Sequence, residues 1–248
     1  MPATTFLETD QGRTLAYHLT QGRGPCIVFL GGLKSDMEGT KAVHLEAWAR
    51  AQGRAFLRFD YSGHGESSGR FTDGCIGDWA QDSLAAVTAL TTGPLVLVGS
   101  SMGGWQSLLL ARAIPERIAG LVTIAAAPDF TEDGYWAGFS DAQKAALDSV
   151  GHVELPSDYM EPYIITKRMI EDGRDQLVLR APLTLPFPVR FLHGTQDTAV
   201  STQTALRLLD HATSPDMRLT LVKDADHRFS DDVCLDLIVS AVNDVLAD

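Results

Sequence analysis

A serine flanked by glycines two residues away on each side is the first feature of the sequence that could do chemistry. Residues 99–103 read GSSMG and fit the pattern G-x-S-x-G, in which the central serine is a nucleophile. An apolar run at residues 95–98 precedes it, and a helical pattern at residues 102–113 follows it. At so tight a turn from strand to helix, larger flanking side chains would collide with both elements. The sequence therefore predicts Ser101 as a nucleophile.

The same pattern occurs a second time, at residues 65–69 (GESSG), with Ser67 in the central position. Glycine and serine are both common, so a match alone is weak. Ser67 belongs to a polar loop at residues 61–73, with neither a strand entering nor a helix leaving. Its context predicts a loop serine without a catalytic role.

A serine hydroxyl needs a base to take its proton, and the base needs an acid that orients it. Where the nucleophile lies at a strand-to-helix turn, the acid and then a histidine follow later in the chain. His227 comes a short loop after a strand-like run at residues 217–222, and Asp197 a short turn after a similar run at residues 189–192. We predict His227 as general base and Asp197 as its acid, with Asp129 as the alternative acid.

Acyl transfer also builds negative charge on a carbonyl oxygen, which preorganised backbone N–H groups stabilise. Met102 follows the nucleophile and offers one N–H at the first turn of the predicted helix. Gly31 and Gly32 precede Leu33 in the loop after an earlier apolar run. We predict the N–H of Leu33 as the second donor of an oxyanion hole; the alternative is a plain Gly-Gly turn.

Short apolar runs alternate with amphipathic helical patterns along most of the chain. Such alternation predicts an α/β fold with a mostly parallel sheet of about eight strands and helices on both faces. The predicted strands are 5–8, 14–19, 26–30, 55–59, 95–98, 121–125, 189–192 and 217–222, and the predicted helices are 38–52, 76–90, 102–113, 202–211 and 231–246.

The alternation stops between residues 128 and 188, where we find no clear strand. We interpret this segment as a cap inserted into a single domain spanning residues 1–248, above the carboxyl ends of the strands, where open α/β sheets bind ligands. Trp136, Tyr159 and Tyr163 make it aromatic, and we predict that they contact substrate. The alternative is that these rings only pack the segment on to the body.

Composition and charge restrict the classes of function. The 248 residues are 45% hydrophobic and carry a net charge of −12, which disfavours binding to nucleic acid or anionic lipid. The three cysteines form no metal-ligand pattern and are expected as free thiols, and no metal is expected. We find neither a signal peptide nor an apolar run long enough to span a membrane, and expect a cytoplasmic location. Whether the chain is a monomer or a weak dimer stays open.

Residues 31–42 (GGLKSDMEGTKA) resemble the oxyanion loop and helix start of one branch of the α/β-hydrolases, the abhydrolase-domain palmitoyl-protein thioesterases and acyl-glucuronide esterases. The strings RFDYSG, VGSSMGGW, LHG and DHR, at residues 58–63, 98–105, 192–194 and 226–228, continue the similarity. The resemblance implies an α/β-hydrolase fold and hydrolysis of a small carboxylic ester or acyl thioester through Ser101, Asp197 and His227, without a cofactor. Residues 130–183 match poorly, so substrate preference does not carry over.

Two alternatives of different class remain at this point. The same three side chains could serve an acyltransferase, a perhydrolase or a cofactor-free lyase. A ligand-binding receptor could keep the fold with reduced catalysis. An aspartate in place of Ser101 would have indicated epoxide or haloalkane chemistry, which the serine excludes.

Overall fold

A mixed sheet lies at the centre of the structure. The computed structural model describes residues 3–156 and 162–246. Within these residues the strands are β1 (Thr5–Glu8), β2 (Thr14–Thr20), β3 (Arg23–Leu30), β4 (Arg54–Phe59), β5 (Leu95–Ser100), β6 (Ile118–Ile124), β7 (His152–Leu155), β8 (Tyr163–Thr166), β9 (Leu183–Thr184), β10 (Val189–Gly194), β11 (Ala212–Thr213) and β12 (Met217–Val222). Eight of them form the central sheet in the order β1-β2-β4-β3-β5-β6-β10-β12.

Helices cover both faces of this sheet. They are α1 (Thr40–Ala51), α2 (Ile76–Leu90), α3 (Met102–Ala113), α4 (Asp141–Ser149), α5 (Lys167–Asp175), α6 (Thr202–His211) and α7 (Asp232–Leu246). α1 and α7 pack on one face, and α2, α3 and α6 on the other. None of the helices in the described part of the chain combines the length and the apolar character needed to cross a bilayer.

The inner strands are largely apolar on both faces because each face of the sheet meets a helical layer. Along β5, Leu95 and Leu97 belong to the core beneath α2 and α3, whereas Val96 and Val98 belong to the core beneath α1 and α7. Successive side chains of a strand point to opposite faces, so both sets are buried. The predicted α/β-hydrolase fold, with its mostly parallel sheet of eight strands, is confirmed.

β5, β6, β10 and β12 are adjacent and parallel. Their carboxyl ends therefore lie at one edge of the sheet, where parallel α/β sheets place their ligands. β1 and β2 pair antiparallel to each other, and β2 pairs antiparallel to β4, on the far side of the sheet.

The segment between residues 128 and 188 contains more regular structure than the sequence indicated. It begins with a π-helical turn, Thr131–Trp136, and continues through α4, the antiparallel pair β7–β8 and α5. The prediction of no clear strand there is wrong. β7 and β8 have four residues each, and only Val153 and the opposite Ile165 are fully buried, so each gives too short an apolar signal to read.

Candidate active site

Ser101 occupies a strained turn between the end of β5 and the start of α3. Its φ of 55° and ψ of −118° are values that non-glycine residues rarely adopt. The surrounding backbone holds it there, because its N–H donates to the Ile124 carbonyl at 2.8 Å and its carbonyl accepts from Gly104 at 2.9 Å and Ala127 at 3.1 Å. The side chain thus projects from the carboxyl edge of the sheet.

The two glycines of this turn are required by packing. A Cβ on Gly99 would overlap the backbone of α3 and the Ser107 hydroxyl, and a Cβ on Gly103 would overlap the carbonyl oxygen of Leu30 at the end of β3. By contrast Ser67, in the second G-x-S-x-G match, is a structural side chain. Its hydroxyl accepts from the Ala16 N–H at 2.8 Å and donates to the Asp60 carbonyl at 2.7 Å.

The structure brings Ser101, His227 and Asp197 together although they follow three different strands. The Nε2 atom of His227 lies 3.1 Å from Ser101 Oγ, and its Nδ1 atom lies 2.8 Å from Asp197 Oδ2. The imidazole therefore bridges hydroxyl and carboxylate. A neutral ring with its proton on Nδ1 would donate to the carboxylate and accept from the hydroxyl, the arrangement in which a serine can be activated.

Asp197 is fixed as an anion. Its side chain is fully buried. The Oδ1 atom accepts from the N–H groups of Ala199 at 2.9 Å and Val200 at 2.8 Å. Burial acts to raise the pKa of Asp197, but the hydrogen bond from His227 and these two N–H groups outweigh it, so the pKa lies below its ordinary value. The carboxylate is thus available to orient an imidazole.

The loop that carries His227 is held in place directly after that residue. Lys41, in the first turn of α1, donates from Nζ to the Arg228 carbonyl at 2.6 Å. Burial lowers the pKa of Lys41, against the opposing effect of the Asp226 carboxylate. Phe229 is fully buried with a φ of 50°, and its N–H donates to Asp226 Oδ1 at 3.1 Å. The imidazole therefore does not depend on its own hydrogen bonds alone for its position.

The predicted oxyanion donors lie next to Ser101. A Cβ on Gly32 would be 3.5 Å from the Cβ of Ser101, so this backbone approaches the hydroxyl closely. Among the described residues, no acceptor receives a hydrogen bond from the N–H of Leu33 or of Met102. Both N–H groups are therefore available to donate a hydrogen bond to a ligand.

A cavity of about 580 Å³ opens above Ser101 and His227. One wall is aromatic and comes from the 128–188 segment. The lining also includes charged groups on α1, on the loop before it and beside His227. The lining side chains include Phe130, Tyr135, Tyr163, Asp36, Lys41 and Arg228.

Of the three predicted substrate contacts, Tyr163 lines the cavity and Tyr159 lies outside the described residues. Trp136 is placed elsewhere: it is absent from the cavity wall, and its ring packs between Lys144 and Arg174. Lys41 and Arg228 were not foreseen. The available signal was adjacency in sequence, since Arg228 follows His227 and Lys41 follows the predicted oxyanion loop.

Asp129, the alternative acid, bonds to backbone groups and not to His227. It is fully buried, and its two oxygens accept from the N–H groups of Val178 at 2.8 Å and Leu179 at 3.0 Å. It thereby ties the end of the 128–188 segment to β6. Within residues 3–156 and 162–246, no group of three or more His, Cys, Asp or Glu side chains is arranged to hold a metal ion.

The chain resembles known proteins along nearly its whole length. Residues 27–153 match the model of the family described as "alpha/beta hydrolase fold". The mitochondrial palmitoyl-protein thioesterase ABHD10 of Rattus norvegicus is 35% identical over 244 residues, which cover 98% of this chain and 82% of the relative. The corresponding protein of Mus musculus is 36% identical over the same coverage.

Two solved structures share the fold in detail. A crystallised protein of Agrobacterium vitis S4 superposes with a TM-score of 0.94 at 36% identity, covering 98% of each chain. The α/β-hydrolase domain-containing protein 10 from mouse superposes with a TM-score of 0.91 at 33% identity, again covering 98% of each. The names of the rodent thioesterases place them in mitochondria, so a cytoplasmic location for this chain stays a prediction.

Proposed function

Because this chain belongs to the α/β-hydrolase family, we propose that it hydrolyses carboxylic esters or acyl thioesters through an acyl-enzyme formed on Ser101. The observation that carries the proposal is the imidazole of His227, hydrogen-bonded to Ser101 Oγ at 3.1 Å and to Asp197 Oδ2 at 2.8 Å. Relatives named palmitoyl-protein thioesterases support the inclusion of thioesters.

In acylation, Ser101 Oγ attacks the carbonyl carbon while His227 Nε2 takes its proton. Asp197 accepts a hydrogen bond from the Nδ1–H group of the resulting imidazolium and stabilises its charge. Negative charge then develops on the carbonyl oxygen, where the N–H groups of Leu33 and Met102 stabilise it. The tetrahedral intermediate collapses as the bond from carbon to the leaving oxygen or sulfur breaks, and His227 protonates the departing alcohol or thiol.

In deacylation, a water molecule takes the place of the leaving group. His227 removes one of its protons as its oxygen attacks the acyl carbon, and the same two N–H groups hold the second oxyanion. Collapse breaks the bond to Ser101 Oγ, which regains the proton from His227. The products are a carboxylic acid and the regenerated enzyme.

The acyl group is assigned to the aromatic side of the cavity. Phe130, Tyr135 and Tyr163 come from the 128–188 segment and line the space above Ser101. An apolar wall of this kind stabilises an acyl chain through burial of its methylene groups. This arrangement supports the interpretation of the segment as a cap over the site, and the charged part of the lining, with Lys41 and Arg228, is left for the leaving group.

A fluorophosphonate probe tests the nucleophile directly. We expect it to label the wild-type protein and the Ser67→Ala variant, but not Ser101→Ala, because the Ser101 hydroxyl has the His227 imidazole beside it whereas the Ser67 hydroxyl bonds to backbone groups. The Ser101→Ala variant should also lose about 10⁴-fold or more in kcat/KM toward the best p-nitrophenyl ester or acyl thioester. Circular dichroism of each variant establishes that the fold is retained.

A panel of esters and thioesters of graded acyl length separates hydrolysis from its alternatives. We expect kcat/KM to vary with acyl length, since the acyl chain enters a cavity of defined size. Labelling of the folded Ser101→Ala variant would contradict the proposal. So would a uniformly feeble response across the panel, which would favour a receptor or a different reaction.

A further inference from the structure

Three side chains at the carboxyl end of β4 are buried without contacting the proposed reacting groups. Arg58, Asp60 and Tyr61 are each at most 2% exposed. They belong to the sequence RFDYSG, which the mechanism above does not use. Burying an ionic side chain is costly unless it is paired and hydrogen-bonded. Arg58 and Asp60 must therefore have partners that offset this cost.

All three side chains bond to the loop that carries Leu33. The Tyr61 hydroxyl donates to the Gly31 carbonyl at 3.3 Å, at the start of the loop. At its far end, Asp60 Oδ1 accepts from the Met37 N–H at 2.6 Å and Arg58 Nη1 donates to the Met37 carbonyl at 2.9 Å. One residue is thus held by both of its backbone groups, and Leu33 lies between the two anchor points.

The anchors are themselves fixed. Arg58 donates from Nε to Glu46 at 2.7 Å and also pairs with Glu38, the residue after Met37. Asp60 accepts a second backbone hydrogen bond, from Glu66 at 2.9 Å. A carboxylate and a guanidinium with all these partners have little freedom to move, since breaking one contact leaves a buried charge less well paired.

An oxyanion hole works only when its donors are preorganised, at about 2.7–3.1 Å from the oxyanion. We propose that Arg58, Asp60 and Tyr61 are positioning residues for the reaction, which hold residues 31–37 at both ends so that the Leu33 N–H stays directed at the carbonyl oxygen. The inference rests on the proposed function, because it assigns these residues to the same oxyanion hole.

The experiment compares transition-state binding with ground-state binding. A trifluoromethyl ketone adds to Ser101 and places an oxyanion in the hole, whereas the carboxylic acid product does not require it. For Asp60→Ala we expect kcat/KM and the trifluoromethyl ketone Ki to worsen in parallel, by about 10²-fold. The inhibition constant of the product acid should change less than about threefold. Asp60→Asn, which keeps one acceptor oxygen for Met37, should recover about tenfold of the loss.

A second buried aspartate supplies the matched control. Asp82 is fully buried and accepts from the Ser62 N–H at 2.9 Å, and none of its hydrogen bonds within the described chain involves residues 31–37. Asp82→Ala should lower the melting temperature and leave the trifluoromethyl ketone Ki per active site within about threefold of wild type. Active sites are counted by the burst of p-nitrophenol, so an unfolded fraction does not enter the constants.

If Asp60→Ala fails to fold, Tyr61→Phe decides. It removes only the hydroxyl that bonds to Gly31, and we expect a trifluoromethyl ketone Ki raised about three- to tenfold with unchanged product binding. An unchanged Ki in whichever variant folds would overturn the inference and leave these residues a purely structural role. Failure of the proposed function would give a different result: the wild-type protein itself would neither hydrolyse esters nor bind the trifluoromethyl ketone.

Discussion

Two buried aspartates at the carboxyl edge of the sheet differ in what their oxygens contact. Asp197 gives one oxygen to two backbone N–H groups and keeps the other for His227. Asp129 uses both oxygens on the backbone of Val178 and Leu179. Burial raises the pKa of Asp129, whereas hydrogen bonds overcome burial at Asp197 and lower its pKa. Of these two aspartates, only Asp197 is therefore stably ionised and has an oxygen that accepts a hydrogen bond from an imidazole.

Asp197→Asn removes the negative charge beside the His227 imidazole and keeps the size of the side chain. The amide can accept from the backbone but carries no charge for the imidazolium, and its NH₂ group facing His227 favours the wrong tautomer of the ring. We expect kcat to fall about 10³- to 10⁴-fold with KM changed much less, measured on the best ester of the panel. A loss of less than about tenfold would show that Asp197 does not orient the base.

Asp129→Asn is the control for that substitution. An amide has one acceptor oxygen where the carboxylate has two, so one of the N–H groups of Val178 and Leu179 loses its partner. We expect the free energy of unfolding to fall by about 1–3 kcal/mol in urea titrations, while kcat stays within about threefold of wild type. If Asp129→Asn instead abolished turnover and Asp197→Asn did not, the acid would have been assigned to the wrong strand.

At the scale of elements, α3 and the end of β3 approach each other closely. The turn that carries Ser101 therefore packs directly against the start of the loop that carries Leu33. The position of contact is Gly103, whose missing side chain leaves room for the carbonyl oxygens of Leu30 and Gly31. Any atom added there must push α3 away from the loop that carries Leu33. The spacing between the Ser101 hydroxyl and the proposed oxyanion donors therefore depends on the absence of a side chain at Gly103.

Gly103→Ala should accordingly damage catalysis more than stability. Alanine is the better helix former by about 1 kcal/mol, which partly offsets an overpacking cost of about 1–3 kcal/mol. We expect kcat/KM to fall at least about 10²-fold while the melting temperature drops by only a few degrees. Gly138→Ala is the control, because a Cβ there meets no heavy atom within 4 Å; full activity in Gly103→Ala would contradict this account.

The sequence predicts elements well where one periodicity dominates. The bounds of α2, α3, α6 and β12 were predicted to the residue, because one helical or alternating pattern covers each element. The β7–β8 pair escaped detection, since pairing between two short strands depends on partners distant in sequence. Trp136 illustrates the same limit: an aromatic residue in a cap predicts a cavity wall only when the direction of its side chain is known.

The site residues divide in the same manner. The proximity of Ser101, Asp197 and His227 could be predicted because each comes soon after a strand of the sheet, in the order along the chain that the proposed chemistry needs. The anchoring by Lys41, and by Arg58 and Asp60, could not, since it rests on single hydrogen bonds between loops. A buried charge has no local signature in a sequence; its partners become visible only in three dimensions.

At the scale of the whole molecule, the site depends on four neighbouring parallel strands ending at one edge. Ser101 and His227 are 126 residues apart in sequence. Their loops meet because β6 and β10 lie between β5 and β12 and set the spacing. No smaller part of the sheet holds all three side chains, so turnover should disappear together with the global fold.

Global stability carries a charge cost. The chain has 32 acidic residues against 20 lysines and arginines, which leaves a net charge of −12 at pH 7. Arg58 and Arg190, both buried, are each paired with two carboxylates. Acidic groups are therefore in excess over basic ones, and the resulting self-repulsion opposes the compact state. Exposed ion pairs offset little of this, since each contributes about 0–1 kcal/mol.

The last prediction follows from screening. The Debye length shortens from about 30 Å at 0.01 M salt to about 8 Å at 0.15 M, so added NaCl weakens repulsion across the surface while buried pairs such as those of Arg58 are screened much less. At pH 7 we expect the melting temperature to rise by about 2–4 °C over this range, equivalent to about 1 kcal/mol. Near pH 5, close to the pI of about 4.9, the net charge is small and the rise should vanish. A melting temperature that falls with salt at pH 7 would mean that attraction between exposed ion pairs outweighs the repulsion among the excess acids.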